Sequence, residues 1–233
     1  HLLIDRFRFD SFAPDSDEPG SNLLTRFGRL VYLFFLITPP ESLVERAWKR
    51  GLEVGRYKAV DDILAHGVEA YTGMPELFFT WIERRDKRVH FEFLDNSVSP
   101  GERPRTVAFG SNDSLHVLDV GRMLDVERFR RVNVDARSPH ELYPDADRLR
   151  PERNAGFLRQ CVERFPEVDF ADQATGHIYL STVAGTPAWS DRDALERAIA
   201  DAGTRAGILA AAPAAMDRAL PAAERPRFLR QRA

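Results

Sequence analysis

Short apolar runs alternate with segments of helical periodicity through the first half of the chain. Residues 2–4 and Leu30–Ile37 are continuous apolar runs, which are typical of strands buried on both faces of a parallel sheet. Residues 87–94 alternate between apolar and polar, which predicts a further strand, and residues 106–109 and 115–120 predict a β-hairpin. The pattern therefore predicts an α/β fold in which a parallel sheet is flanked by helices and carries one hairpin.

The clearest helix start follows the second apolar run. Thr38 is predicted to be the N-cap, Pro39 the first helical residue and Glu41 the third helical residue. Threonine at the N-cap and glutamate at the third position form a capping box, and proline suits the first position. We expect this helix to run from 42 to about 50 and to stop at Gly51. Two further helices are predicted at 60–71 and 75–84, separated by the breaker at residues 72–75.

The pattern changes beyond about residue 121. An arginine-rich helix is predicted at 122–131, then a polar segment, a helix at 154–165, a short strand at Ile178–Val183 and a helix at 191–202. From residue 209 the sequence is a low-complexity mixture of Ala, Arg and Pro. We therefore predict two parts: an α/β core at 1–135, and a mostly helical C-terminal extension at 136–233 that ends in a low-complexity tail.

Composition excludes several classes of protein. The net charge of −3 over 233 residues lacks the basic excess of a dedicated nucleic-acid binder. One cysteine, Cys161, rules out an intramolecular disulfide framework and fits a cytoplasmic location. The longest apolar run, eight residues, is too short to span a membrane, so no membrane partner is expected. Because the chain opens without Met inside an apolar run, we expect a fragment of a longer protein.

Several catalytic motifs are absent from the sequence. There is no phosphate-binding G-x-x-x-x-G-K-[ST] motif, no dinucleotide-binding G-x-G-x-x-G and no G-x-S-x-G nucleophile elbow. None of the six histidines pairs with another histidine or a cysteine at metal-ligand spacing, so no metal site of that kind is predicted.

Asp5 is the first candidate for chemistry, because it ends the first apolar run. Ligands of open parallel sheets bind outside the carboxyl ends of the strands. A carboxylate there accepts a hydroxyl proton or holds Mg²⁺ through water. The alternative is that Asp5 caps a turn.

Three arginines follow the second apolar run: Arg46, Arg50 and Arg56. Guanidinium groups neutralise the negative charge of a migrating phosphoryl group, so these are candidate catalytic residues. Gly51 and Gly55 suit a segment that bends closely around a ligand. The alternative is a solvated helix face that pairs with neighbouring glutamates.

Asp95 and Asn96 end the strand predicted at 87–94, and we expect the loop they begin to lie on the same edge as Asp5. They are therefore candidate cofactor-binding residues. A plain turn is the alternative.

These elements together resemble the second half of a P-loop kinase core, and most closely zeta-toxin-like ATP-binding proteins. The resemblance covers residues 1–135 and is carried by the apolar runs, the Thr-Pro-Pro-Glu turn, the three arginines and the stretch 46–71. It implies phosphorylation of a hydroxyl that requires ATP and Mg²⁺; for zeta toxins the substrate is a UDP-activated amino sugar. Asp5 would match the base or metal-side acid, and Arg46, Arg50 or Arg56 the lid arginines. The family's Walker A lysine has no counterpart here, so it lies upstream of His1 or the chain is a degenerate remnant.

Two functions from different classes follow. The first is an ATP-dependent phosphotransferase that acts on a small molecule or nucleotide sugar, and is active only with the missing Walker A segment. The alternative is a non-catalytic truncated pseudo-kinase or α/β module, which binds a protein partner through its C-terminal helices.

Overall fold

The structure is a computed structural model that describes residues 28–143 and 151–215. The strands are β1 (Leu30–Ile37), β2 (Arg88–Asp95), β3 (Arg105–Ser111), β4 (Ser114–Val117), β5 (Glu167–Ala171), β6 (Ile178–Val183) and β7 (Thr186–Ser190). The α-helices are α1 (Pro40–Val54), α2 (Val60–Ile82), α3 (Val120–Arg128), α4 (Gly156–Arg164), α5 (Arg192–Ala198) and α6 (Ala202–Ala211). Short 3₁₀ helices lie at Phe129–Arg131, Pro139–Glu141, Pro151–Asn154 and Pro213–Ala215.

All seven strands form one mixed sheet in chain order. β1 pairs with β2, and β4 with β5, in parallel, and the other neighbours are antiparallel. The α/β class is confirmed, and so is the hairpin, which β3 and β4 form. The sheet was predicted to be parallel apart from one hairpin; it is instead mixed and mostly antiparallel. Connections as short as residues 112–113 and 184–185 can join only antiparallel strands.

Most strands of the sheet have their carboxyl ends on the same side. β1, β2, β4, β5 and β7 run the same way, and β3 and β6 run opposite to them. Five strands therefore end at the same side of the sheet, which we call the carboxyl edge.

An aromatic cluster fixes the helices to one side of the sheet, which we call the inner face. The ring of Phe78 on α2 lies 5.7 Å from Phe35, 4.8 Å from Phe91 and 5.1 Å from Phe93. It also lies 5.7 Å from Phe157 on α4, so strands and helices from both sides of residue 135 share one core. Edge-to-face contacts of this kind add to the free energy gained from burying the rings.

β1 is buried on this inner face only. Its inner residues Val31, Phe35 and Ile37 are buried, whereas its alternate residues are exposed. The prediction that β1 is parallel is confirmed, but the prediction that both of its faces are buried is wrong.

The start and end of α1 differ from the capping-box prediction. The helix begins at Pro40, and its N-cap Pro39 makes no side-chain hydrogen bond. It continues through Gly51 to Val54 and ends at Gly55, whose φ of 71° is the left-handed conformation that favours glycine. Gly51 does not stop the helix; the Tyr57 ring packs where a Cβ would stand.

α2 is one continuous helix that contains Pro75, so the predicted break at residues 72–75 is wrong. A proline inside a helix costs about 3 kcal/mol or more. Tyr71, Met74, Pro75 and Phe78 are all buried, so packing of this segment offsets that cost.

Residues 151–215 contain strands as well as helices, because β5, β6 and β7 complete the same sheet. β6 spans Ile178–Val183, as predicted, and α4 lies within the helix predicted at 154–165. β5 and β7 were not predicted. Within the described ranges, no helix combines the length and the apolar character needed to cross a bilayer.

Replacing Gly110 on β3 by Ala is expected to lower the free energy of unfolding by about 1–3 kcal/mol. The added Cβ would overlap the Ser114 carbonyl and lie 2.7 Å from Cζ of Phe91. Gly67→Ala on α2 is the control, since its Cβ would make an ordinary 3.5 Å contact with Leu43 and raise helix stability. Urea unfolding of both variants checks this; a Gly110→Ala variant as stable as wild type would contradict the close β3–β4 approach.

Candidate functional site

The carboxyl edge brings the ends of β1 and β2 together, because the two strands are parallel. The Asn96 side-chain amide donates to Thr38 Oγ1 at 3.2 Å, and its backbone N–H donates to the Ile37 carbonyl at 2.8 Å. Asp95 is buried, accepts the Ser97 N–H at 2.9 Å and lies 3.2 Å from Nε of Arg122. Each of these polar groups thus has a partner within the protein.

Of the arginine candidates, Arg46 alone joins Asp95 and Asn96. Its Nη2 donates to the carbonyls of Asn96 at 2.6 Å and Val98 at 2.9 Å. This guanidinium ties α1 to the segment after β2.

The remaining candidates are not brought to this cluster. Arg50 lies on an exposed position of α1, and Arg56 in the exposed segment after it. Asp5 lies outside the described residues. The roles that the zeta-toxin resemblance implies for these residues stay predictions.

A cavity of about 570 Å³ opens further along the carboxyl edge, between the first turns of α3 and α6. Three of its carboxylates accept backbone hydrogen bonds from residues three positions later in the chain. Asp119 accepts the Arg122 N–H at 2.9 Å, and Asp201 accepts the Thr204 N–H at 2.7 Å. Asp172 accepts the Thr175 N–H at 2.8 Å. Helix N-caps and turns of this type are structural uses of aspartate.

Asp125 carries the buried charge of this cavity. It lies 3.0 Å from Nη1 of Arg122 and 3.5 Å from Nη1 of Arg128, whose guanidinium also stacks 3.9 Å above the Tyr143 ring. Burial raises the pKa of Asp125, and the two arginines oppose that shift. Both arginines are thereby engaged with the protein itself.

A second polar cluster lies within the sheet, where sequence analysis predicted nothing. Asp169 on β5 accepts the Ser181 hydroxyl at 2.6 Å and lies 3.0 Å from Nδ1 of His116. The carboxylate stands between the serine and the histidine, so the histidine is not placed to take the serine proton as in a nucleophilic triad. The unpredicted strand β5 is the reason that this cluster was missed.

No metal-binding group emerges from residues 28–143 and 151–215, where no three His, Cys, Asp or Glu side chains are arranged to hold an ion.

The outer side of β1 is an exposed apolar surface. Four alternate side chains, which we call the outer row, are exposed by about half or more: Leu30 (51%), Tyr32 (60%), Phe34 (63%) and Leu36 (49%). Sequence analysis missed this surface because all eight residues of β1 are apolar, and such a run does not reveal which face is covered.

The backbone of β1 also has a free edge, since no other described strand pairs with the side opposite β2. The carbonyls of Arg29 and Ile37 accept hydrogen bonds from β2 and the residue after it, at 2.7 and 2.8 Å. In a parallel pair, the N–H and C=O groups of every second residue point to the same neighbouring strand. Since Arg29 and Ile37 are odd-numbered, the odd-numbered residues of β1 direct their N–H and C=O groups to β2. The backbone groups of the outer row therefore point to the free edge.

Tyr71 closes the carboxyl end of that free edge. Its hydroxyl accepts the Thr38 N–H at 2.7 Å and lies 3.3 Å from the carbonyl oxygens of both Leu36 and Thr38, which share its one proton as acceptors. Burial raises the pKa of Tyr71, so the hydroxyl keeps its proton. The part of the edge left for pairing is thus formed by Leu30, Tyr32 and Phe34.

Comparisons with protein-family models, with curated proteins and with solved structures found no match to this chain.

Replacing Arg46 by Ala is expected to lower the free energy of unfolding by about 1–3 kcal/mol, because two carbonyls lose a charged donor. Arg50→Ala, one turn along the same helix, is the matched control and should change stability by less than about 0.5 kcal/mol. Urea unfolding measures both. Equal stability of the two variants would mean that Arg46 does not tie α1 to the end of β2.

Proposed function

We propose that this chain acts as a non-catalytic, protein-binding α/β module and that β1 is its binding element. The observation that supports this role is the combination, in one strand, of a free backbone edge and an exposed apolar outer row.

The sequence of β1 itself carries none of the features that protect a sheet edge. Natural edge strands carry charges, prolines or bulges, or are very short. Leu30–Ile37 is eight residues long and contains no charged residue, proline or glycine, and its pairing with β2 is regular throughout. An edge of this kind favours pairing with another strand.

The outer row adds side-chain contacts to this edge. Its four side chains form a patch comparable with the largest apolar patches of single-chain proteins, roughly 300–600 Å², which often serve binding. Strand addition draws affinity from the backbone and selectivity from alternate side chains. β1 offers both on adjacent surfaces.

The polar clusters favour the non-catalytic alternative. Asp95, Asp119, Asp125 and Asp172 all bond within the protein, and Arg46 and Arg122 do the same. Catalytic groups need partners on the substrate. Asp125, whose pKa is raised by burial, is paired with Arg122 and Arg128 of the protein itself. The earlier hypothesis assigned a protein partner to the C-terminal helices; we place it on β1, where the exposed surface is.

Phosphotransfer stays a prediction of the resemblance, with ATP and Mg²⁺ as its cofactors. The binding-module proposal predicts that isothermal titration of the native full-length protein, with any residues upstream of His1 included, with Mg–ATP gives no saturable binding, and that Arg56→Ala changes nothing. Saturable binding that Arg56→Ala abolishes would instead favour the kinase, since the arginine would then contact phosphate.

A photo-crosslinking residue at position 32 is expected to give discrete protein adducts in the source cell, because this position lies at the centre of the free edge. The same residue at position 48 on α1 is the control, since Trp48 is equally exposed at 60%. Adducts from position 32 should disappear with Phe34→Lys, which places a charge in the outer row. Adducts of equal yield from both positions would contradict a binding role specific to β1.

A further inference from the structure

We propose that the cavity between the first turns of α3 and α6 binds a small aliphatic cation that carries two ammonium groups. This inference is independent of the proposed function, because the cavity lies at the carboxyl ends of β4 and β5 and includes no residue of β1. Ligands of α/β sheets commonly bind outside the carboxyl ends of parallel strands. The volume of about 570 Å³ is within the range of small-molecule sites in proteins.

A buried tyrosine with an unused hydroxyl lines this cavity. Tyr179, in β6, is only 4% exposed, yet its hydroxyl makes no hydrogen bond with any described residue. Burial raises the pKa of Tyr179, and the charges of Asp119 and Asp172 raise it further, so the hydroxyl keeps its proton. Buried polar groups are nearly always paired, and one without a partner needs an explanation. A ligand in the cavity would supply that partner.

Three carboxylates of the cavity each keep one oxygen that has no partner among the described residues. Oδ1 of Asp119 and Oδ2 of Asp201 accept the N-cap hydrogen bonds of α3 and α6. Oδ1 of Asp172 accepts both hydrogen bonds from Thr175. None of the three carboxylates forms an ion pair with a described residue. Their second oxygens are therefore available to a ligand.

The charges around the cavity leave an excess of negative charge. Arg122 and Arg128 both pair with Asp125, and Arg122 also lies 3.2 Å from Asp95, so these two cations and two anions balance. The first turns of α3 and α6 each contribute about half a positive charge. Set against the three remaining carboxylates, they leave roughly two negative charges, which a ligand with two positive charges would neutralise.

The arrangement of these groups favours ammonium over a metal ion. Nowhere in residues 28–143 and 151–215 do three His, Cys, Asp or Glu side chains converge so as to hold one ion. An ammonium group donates three hydrogen bonds, so it can bond a carboxylate and the Tyr179 hydroxyl at the same time. The apolar side chains of Leu118 and Ala198 line the same cavity and suit the hydrocarbon that joins two such groups.

Isothermal titration of the full chain with diaminobutane at low ionic strength tests the site. We expect saturable binding of one ligand per chain. Butylamine has the same hydrocarbon but a single ammonium group, and it should bind at least about tenfold more weakly. An equal concentration of magnesium chloride should not compete. No saturable binding of diaminobutane, or displacement of it by magnesium, would overturn the proposal.

Removal of single charges locates the bound cation. Asp119→Asn and Asp201→Asn should each weaken diaminobutane binding about fivefold. Both helices stay capped in these variants, because asparagine is as good an N-cap as aspartate. Asp113→Asn is the matched control, since it removes the same charge from the turn between β3 and β4, at the opposite end of β4 from the cavity. Equal weakening by all three variants would show a general effect of net charge and would overturn the site.

Replacing Tyr179 by Phe tests the unused hydroxyl. The variant should bind diaminobutane at least about threefold more weakly, and its stability to urea should not fall, because no hydrogen bond within the protein is lost. Tyr71→Phe is the contrasting control: its hydroxyl bonds Thr38, so this variant should lose stability and bind diaminobutane normally. Unchanged affinity of the Tyr179→Phe variant, whatever its stability, would overturn the proposal and leave the binding role of β1 untouched.

Discussion

Packing of the Phe78 ring against the inner face of the sheet is the interaction on which the architecture depends. It joins α2 to β1 and β2 through Phe35, Phe91 and Phe93, and reaches α4 through Phe157. Burial of this cluster requires the odd-numbered side chains of β1 to face the helices. The even-numbered side chains must then face the opposite way, since alternate side chains of a strand point to opposite faces. The exposure of Tyr32 and Phe34 is the direct consequence.

Charge has a structural use throughout the carboxyl edge. Parallel strands end there, and each end leaves backbone groups that need partners. Asp119 and Asp201 cap helices, and Asp172 accepts a hydrogen bond within a turn. Arg46 donates hydrogen bonds to two carbonyl oxygens of the segment after β2. Among the side chains that first suggested phosphate chemistry, Arg46, Asp95 and Asn96 are thus consistent with stabilising the loops of a mixed sheet. The surface that we propose for binding lies on the first strand, where no described strand pairs with the free backbone edge and the outer row is exposed.

Much of the fold was predictable from local pattern. The strands at 30–37, 87–94 and 178–183 and the β3–β4 hairpin follow from apolar runs, alternation and turn residues, which act over a few residues. The parallel arrangement of β1 and β2 made Asp95 and Asn96 neighbours of the end of β1. Arg46 was predicted as a catalytic arginine, and that role stays a prediction. Its hydrogen bond to the Asn96 carbonyl was not predicted, because it depends on a contact 50 residues away in the chain.

The sequence by itself determined which segments are strands or helices wherever periodicity is strong, and that β1 is uncharged along its whole length. Only the tertiary structure decided that α2 continues through Pro75, that β5 and β7 extend the sheet, and that one side of β1 stays exposed. These features depend on which apolar surfaces meet, and an all-apolar strand such as Leu30–Ile37 carries no local mark of the face that Phe78 covers. The exposure of the outer row is therefore a result of long-range packing, because burial of one face of β1 leaves the other exposed.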